Sequence, residues 1–329
     1  MDDRIQVNPF ESSFDQSKLH VITMCSNPMR ATRRYELFTR FREYMLAQGV
    51  RIWAAEIQDG ERPHCVTSPN NPRDLQLRTT TQLWHKENAL NLLIQRLPSD
   101  WKYVAWIDAD IEFLNKNWLQ ETIHELQLHG VVQMWENAID QGPYGESLSL
   151  FHSFMSKYVK NGYRFPEKWE KDPDKFGAYQ GKEYHPGFAW AATRSAINNM
   201  GMLLDRAIAG AGDRHMALCF TGKAEFSFHP QAPEPYKKYV MDYQDRCQHL
   251  IKKNVGYVDG TLIHHHHGSK ASRGYWSRWK ILNDNKFDPF LDLRHDSQGL
   301  LQLDDYLKPQ LRDALRAYFS YRNEDSLNT

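Results

Sequence analysis

Cysteine is scarce in this chain, and what there is does not pair. Its 329 residues include four, Cys25, Cys65, Cys219 and Cys247, widely scattered and with no CxxC spacing. That speaks against a disulfide framework or a zinc ribbon, and makes a reducing cytoplasm the expected compartment. Net charge is also missing. The 41 basic residues are matched by 41 acidic ones, so no global electrostatic grip on nucleic acid or membrane is indicated, only local patches. No apolar run nears the roughly 18 residues that span a bilayer, so no membrane span is expected. Residues 1–17 are polar and acidic, with no apolar stretch of a signal peptide. Internal repeats, low-complexity tracts and a clean interdomain linker are lacking too.

Aromatic residues are plentiful, at 13% of the chain with ten tryptophans. They suit either a core rich in rings or a cleft that stacks rings on sugars or bases. The elements alternate. "KLHVITMC" (18–25) predicts a buried strand, residues 31–48 a helix, "VRIWAAEI" (50–57) a strand and 58–75 a proline-punctuated loop. Residues 82–97 predict a helix, 102–110 a strand, 117–129 a helix and 131–136 a strand. This order argues for an α/β fold, a mostly parallel sheet flanked by helices, with ligands beyond the carboxyl ends of the strands. The second half reads less regularly. Residues 140–184 predict loop and short helix crowded with aromatics. Beyond them the pattern gives a strand (185–193), two helices around a glycine-rich turn, a helix (236–253), a strand (255–263) and a late helix (307–320).

"WIDADIEF" (106–113) runs an apolar strand into Asp108 and Asp110. One residue apart on a strand, both carboxylates would share a face and converge on one cation. Oxygen ligands suit Mg²⁺ or Mn²⁺, completed by substrate phosphates. A DxD alone also occurs as a solvated acidic turn.

Together with the preceding helix, the stretch "WHKENALNLLIQRLPSDWKYVAWIDADIEF" (84–113) resembles the helix and DxD strand of GT-A glycosyltransferases. "HPGFAWAATRSAI" with "LLDRAIAGAGDRHMA" is similar to an acceptor-side segment of bacterial and phage-encoded members related to the galactosyltransferase C-terminal type. "HHHHGSKASRGY" is similar to their late His-x-x-His-Gly segment. The resemblance spans about residues 18–280. It implies a GT-A catalytic domain with a nucleotide-sugar-binding half (18–136) and an acceptor half (137–280). Residues 1–17, a flexible tail, and 281–329, a C-terminal extension, lie outside it.

The four histidines would be inert if they were a purification tag. They lie mid-chain, however, between a strand and over sixty further residues of globular composition. The resemblance implies that His267 or His264 completes the metal site, with His265 and His266 structural. An imidazole beside carboxylates favours Mn²⁺ over Mg²⁺. Lys270 and Arg273 follow, with Tyr275 and Arg278 as helpers, where cations would offset the charge of a leaving diphosphate. They also read as an ordinary basic surface loop.

Asp213, after "GAG", is a natural N-cap. The resemblance implies instead that it is the base taking the acceptor hydroxyl proton in an inverting transfer, with Asp205 next and Glu183 a distant third. His185, Gly187, Trp190 and Gly212 are the expected sugar or acceptor pocket. The nucleotide is expected at the carboxyl end of the first strand, on Thr23, Asn27 and Arg30, with Lys86 and Asp108 as further donor contacts. The expected activity is transfer from a nucleotide sugar, a UDP-sugar, to a hydroxyl acceptor. The resemblance to phage-encoded members implies a hydroxymethylated pyrimidine in phage DNA as the acceptor, with a surface or lipid-linked glycan, or a protein or small molecule, as the alternatives. Two basic clusters, 30–42 and 157–171, are where DNA phosphates would be held. Two other classes compete. A nucleotidyltransferase would carry a glycine-rich, cation-bearing loop after the first strand, where "SNPMRATRR" has only the arginines. A carbohydrate-binding module would need no acid–histidine set.

Overall fold

A computed structural model describes residues 15–167, 182–251, 253–270, 273–274, 277–304, 306 and 308–328. Its centre is a seven-stranded sheet of β1 (Leu19–Ser26), β2 (Ile52–Asp59), β3 (Asp74–Thr79), β4 (Tyr103–Ile107), β6 (Val131–Gln133), β9 (Ala189–Thr193) and β10 (Val255–Tyr257), in the order β10-β6-β9-β4-β1-β2-β3. Every neighbouring pair is parallel except those made by β9, which is antiparallel to β4 and β6. The mostly parallel α/β sheet read from the sequence is therefore present. Its strands are buried nearly end to end, as in β2, which suits a sheet covered on both faces. Helices α1 (Thr32–Ala47), α2 (Lys86–Ile94) and α3 (Trp118–Leu128) are its crossovers. Gly49, at φ +74°, stops the first of them.

A second sheet departs from expectation. It has the order β5-β11-β7-β8, with β5 (Ile111–Phe113), β7 (Asn137–Gln141), β8 (Ser147–His152) and β11 (Thr261–His264). Part of the stretch read as loop is thus the hairpin β7–β8. The single strand expected over 255–263 is two, β10 and β11, each in a different sheet. The strand expected over 102–110 ends at Ile107, and Asp108–Asp110 form the turn between the two sheets. The two acids therefore do not lie on one strand face. The missed β3 pairs with β2 and closes the large sheet.

The remaining helices used below are α4 (Phe154–Lys160), α5 (Arg194–Met200), α6 (Gly212–Phe220), α7 (Glu234–Arg246), α8 (Gln248–Ile251), α9 (Ser277–Asp284) and α10 (Pro309–Tyr321). The helix expected over 236–253 is α7 and α8, broken at Cys247. No helix among the described residues is long and apolar enough to cross a membrane. Trp169, Phe176, Tyr179 and Tyr275 fall outside the described residues.

Candidate active site

Register brings the ligands together. β11 runs antiparallel to β5 with His264 opposite Ile111, so Asp110 sits beside His265, whose N–H donates to the Asp110 carbonyl at 2.8 Å. β11 also runs parallel to β7 with His264 beside Asp140, whose carboxylate accepts from His264 Nδ1 at 2.8 Å. With Nδ1–H so engaged, the Nε2 lone pair is left for another partner. His267 Nε2 lies 3.1 Å from Asp110 Oδ2. One ligand atom each from Asp110, His264 and His267 fall within 4.8 Å of one another.

This set fits a divalent ion on its chemistry. Arg273 Nη2 points at His267 Nε2 from 3.1 Å, which makes that nitrogen an acceptor facing a carboxylate. Two acceptors so close call for a cation between them. Asp110 Oδ1 is buried without a hydrogen-bond partner. A carboxylate with two imidazoles suits Mn²⁺. Burial alone would raise the Asp110 carboxyl. His267, His264 and Arg34 outweigh it and hold the group far below the usual range. Burial, helped by Arg273, brings His267 down to about 4, so its ring is neutral and able to ligate.

Asp108 is not in this cluster. Its carboxylate pairs with Lys86 at the start of α2. Burial would depress the Lys86 ammonium, but Asp108, with Glu87 and Asp213 behind it, keeps it above the normal lysine range. The turn thus divides its acids, one to the imidazoles and one to the lysine.

Both acids open on one cavity of about 570 Å³ at the carboxyl ends of β1 and β4. Its lining holds both the cations Lys270, Arg273, Arg278 and Arg214 and the residues Asp213, Glu87, His185 and Gly187. Lys270 also reaches the Asp140 carboxylate and lies 4.5 Å from the centre of the Phe151 ring. Asp213 stands in the first turn of α6, after Ala211 in the left-handed region at φ +78°. Gly187 has to be small, since a Cβ there would sit 3.0 Å from Asp213 Oδ2 and 3.0 Å from His185 Cε1. At Gly212 a Cβ would lie 2.5 Å from Glu87 Oε1. Burial pushes the Glu87 carboxyl up to about 8, against the pull of Lys86. Burial brings His185 down to about 3. Phe188, at φ +80°, is wedged 4.3 Å from the His185 ring and 4.6 Å from the His264 ring. A phenylalanine in this backbone region stores strain, and such strain collects at functional sites.

Other expected residues are placed differently. Trp190 is a core residue stacked on Trp106, its indole N–H donating to the Pro186 carbonyl at 2.7 Å. Asp205 lies at a separate cleft with Asn91 and Tyr239 and does not reach the main cavity. Glu183 pairs with Lys157 at 2.8 Å. Thr23 lines the cavity floor but donates its hydroxyl to the Ile107 carbonyl. Asn27 also lines the cavity, its side chain closing its own loop through two bonds to the Ala31 backbone. Arg30 is exposed and outside the lining, whereas Arg34, one turn on, is inside it. His265 Nδ1 bonds Gln141 and His266 Nε2 donates to the Ser326 carbonyl, each at 2.8 Å.

Sequence reasoning did not single out Asp140, Glu87, Arg34 or Glu324. Their roles are set by tertiary contacts, which no sequence pattern carries.

No family profile and no curated protein matches the chain. Among solved structures it is similar to the catalytic domain of Drosophila beta1,4galactosyltransferase 7 in complex with xylobiose, at 12% identity and a TM-score of 0.37. A mutant of that enzyme in complex with manganese, UDP-Gal and xylobiose gives 13% identity and the same TM-score. In each case 89% of this chain and 98% of the other are covered.

Proposed function

We propose that this protein is a metal-dependent GT-A glycosyltransferase that moves a sugar from a nucleotide sugar, a UDP-sugar, to a hydroxyl acceptor with inversion. The observation that carries the reading is one cavity holding three things: the Asp110–His264–His267 set, a bank of cations and a separate carboxylate. Asp110, His264 and His267 would hold Mn²⁺, which supplies Lewis-acid neutralisation of the diphosphate when bound. Lys270, Arg273, Arg278 and Arg214 face the same space and stabilise the charge that grows on the leaving diphosphate. Asp213 takes the acceptor proton from the other side. Lys86 holds Asp108 in place at the donor end.

The nucleotidyltransferase reading is weaker, because the loop after β1 is folded on itself through Asn27 and Arg30 stays outside the cavity. The basic cluster on α1 is largely engaged: Arg33 with Glu36, Arg34 with Glu324, Arg40 with Glu112 and Arg42 with Asp74. It offers a phosphate backbone less than its count suggests. Residues 168–171 of the second cluster lie outside the described residues.

The test is to incubate the protein with UDP-sugars, with and without Mn²⁺, and follow UDP release. Transfer is then sought onto duplexes carrying hydroxymethylcytosine or hydroxymethyluracil, and onto glycans. Mn²⁺-dependent release with a sugar adduct supports the reading. A nucleotide transferred intact to an acceptor overturns it.

A further inference from the structure

We propose that residues 322–326, outside the stretch that resembles glycosyltransferases, are a positioning strap for the metal site. They hold the His266–Gly268 loop and Arg34 so that His267 faces Asp110. The inference rests on reading Asp110, His264 and His267 as a metal centre.

Five contacts carry it. Glu324 binds Arg34 in a two-pronged pair, with Nη2 to Oε1 at 2.9 Å, and both residues line the cavity. Arg322 donates to Glu324 at 3.1 Å and lies 5.2 Å from the Trp84 ring centre, which fixes the strap to the opposite wall. Asp325 accepts from the Thr32 and Arg33 N–H groups at 3.0 and 2.8 Å. It thereby caps α1, whose own N-cap residue, Ala31, has no side chain to do so. The Ser326 carbonyl accepts from His266 Nε2, and Arg33 Nε in turn donates to the His266 carbonyl at 3.1 Å. Gly268, at φ +83°, lies so close that a Cβ would be 2.3 Å from the Asn323 carbonyl oxygen. His267 is thus the residue between two points gripped by the strap. Burial of the Glu324 carboxyl works against its charge, yet Arg34 keeps it ionised, so the pair is intact at neutral pH.

The test uses the full chain with Glu324→Ala and Asp325→Ala combined, and Asp325→Asn as the conservative control, since Asn is also a good cap. Mn²⁺ affinity is measured by calorimetry. Hydrogen exchange over residues 264–270 is measured in metal-free buffer. The expected result for the double variant is at least tenfold weaker Mn²⁺ binding and about tenfold faster exchange in that loop, with a cooperative melt. Asp325→Asn should restore about half of what Asp325→Ala alone loses, since its one amide oxygen replaces only one of the two carboxylate oxygens that accept from Thr32 and Arg33. Unchanged Mn²⁺ affinity overturns the proposal, whether or not exchange changes. If the unaltered protein itself takes up no Mn²⁺, the metal reading fails and the exchange arm decides the strap: unchanged protection sinks it, faster exchange supports it. Should the double variant not fold, Asp325→Ala against Asp325→Asn gives the same comparison.

Discussion

The two larger sheets divide the labour unequally. The seven-stranded sheet includes the two eight-residue strands β1 and β2, both largely buried, and lays down the cavity floor at the ends of β1 and β4. The four-stranded sheet has strands of three to six residues, and two of its registers, His264 with Ile111 and His264 with Asp140, build the metal cluster. Burial secures the first. The second depends on pairing, because a one-residue slip turns every side chain to the other face. The lesson is that the candidate ligands hang on strands of three and four residues, whose register decides which side chains meet.

The contrast can be broken most severely at Asp110. Asp110→Asn should lower transfer by more than about a hundredfold, since losing the offset to leaving-group charge costs several kcal/mol. Because the folded chain holds that carboxyl far below its usual range, the melt in metal-free buffer should fall as well. A variant keeping a tenth of the wild-type rate would sink the assignment. Asp213→Asn, on the large-sheet side, should lose about 10²- to 10⁴-fold in turnover while UDP and Mn²⁺ bind normally. Calorimetric loss of nucleotide binding in that variant would remove its role as base.

Smaller effects sharpen the comparison. Asp140→Asn should weaken Mn²⁺ about 10- to 100-fold through His264 without touching the ion. Replacing His264 and His267 together should abolish Mn²⁺-dependent UDP binding, while replacing His265 and His266 should weaken it less. Equal effects from both pairs would mean the segment has no defined ligand set.

The smallest effect belongs to the buried interior. His215, between Ser227 and Tyr236, is brought down to about 3 by burial, then by Arg214 and Arg278. The unfolded chain takes up its proton near pH 6.5 and the folded one refuses it, so stability is lost as pH falls. From pH 7 to 5 this amounts to about 2 kcal/mol. His85, brought down to about 4, acts in the same direction. Glu87 has the opposite sign, because its raised carboxyl makes stability fall as pH rises between about 4.5 and 8. Denaturant melts of His215→Gln across this range should show a shallower acid limb than the wild type. Parallel curves would refute the assignment.

Legibility from the sequence follows the same division. The strands β1, β2 and β4 and helices α1 to α3 are long enough for apolar periodicity to show, so the mostly parallel sheet was readable. β5 and β11 have only three and four residues, β7 and β8 lack the unbroken apolar run of β4, and Asp108–Asp110 looked like strand because the apolar run leads straight into it. Asp110, His264 and His267 stood out because the DxD ends an apolar strand and because the late His-x-x-His-Gly segment resembles that of GT-A enzymes. Asp140 and Glu87 did not, since a lone carboxylate gains its meaning only from what packs on it. Trp190 and Asp205 drew attention through neighbouring motif residues, but the fold sends one into the core and the other to a different cleft.

The cap on α1 has a consequence for the order of assembly. Thr32 waits for an acceptor 293 positions further along. During synthesis at about 5–20 residues per second, α1 leaves the ribosome many seconds before Asp325 exists. The large sheet can collapse and β11 can pair with β5 and β7 meanwhile, but the His266–Gly268 loop lacks its Ser326 and Asn323 contacts until translation is almost done. A nascent chain stalled before residue 322 would then be folded in its main body and blind to manganese.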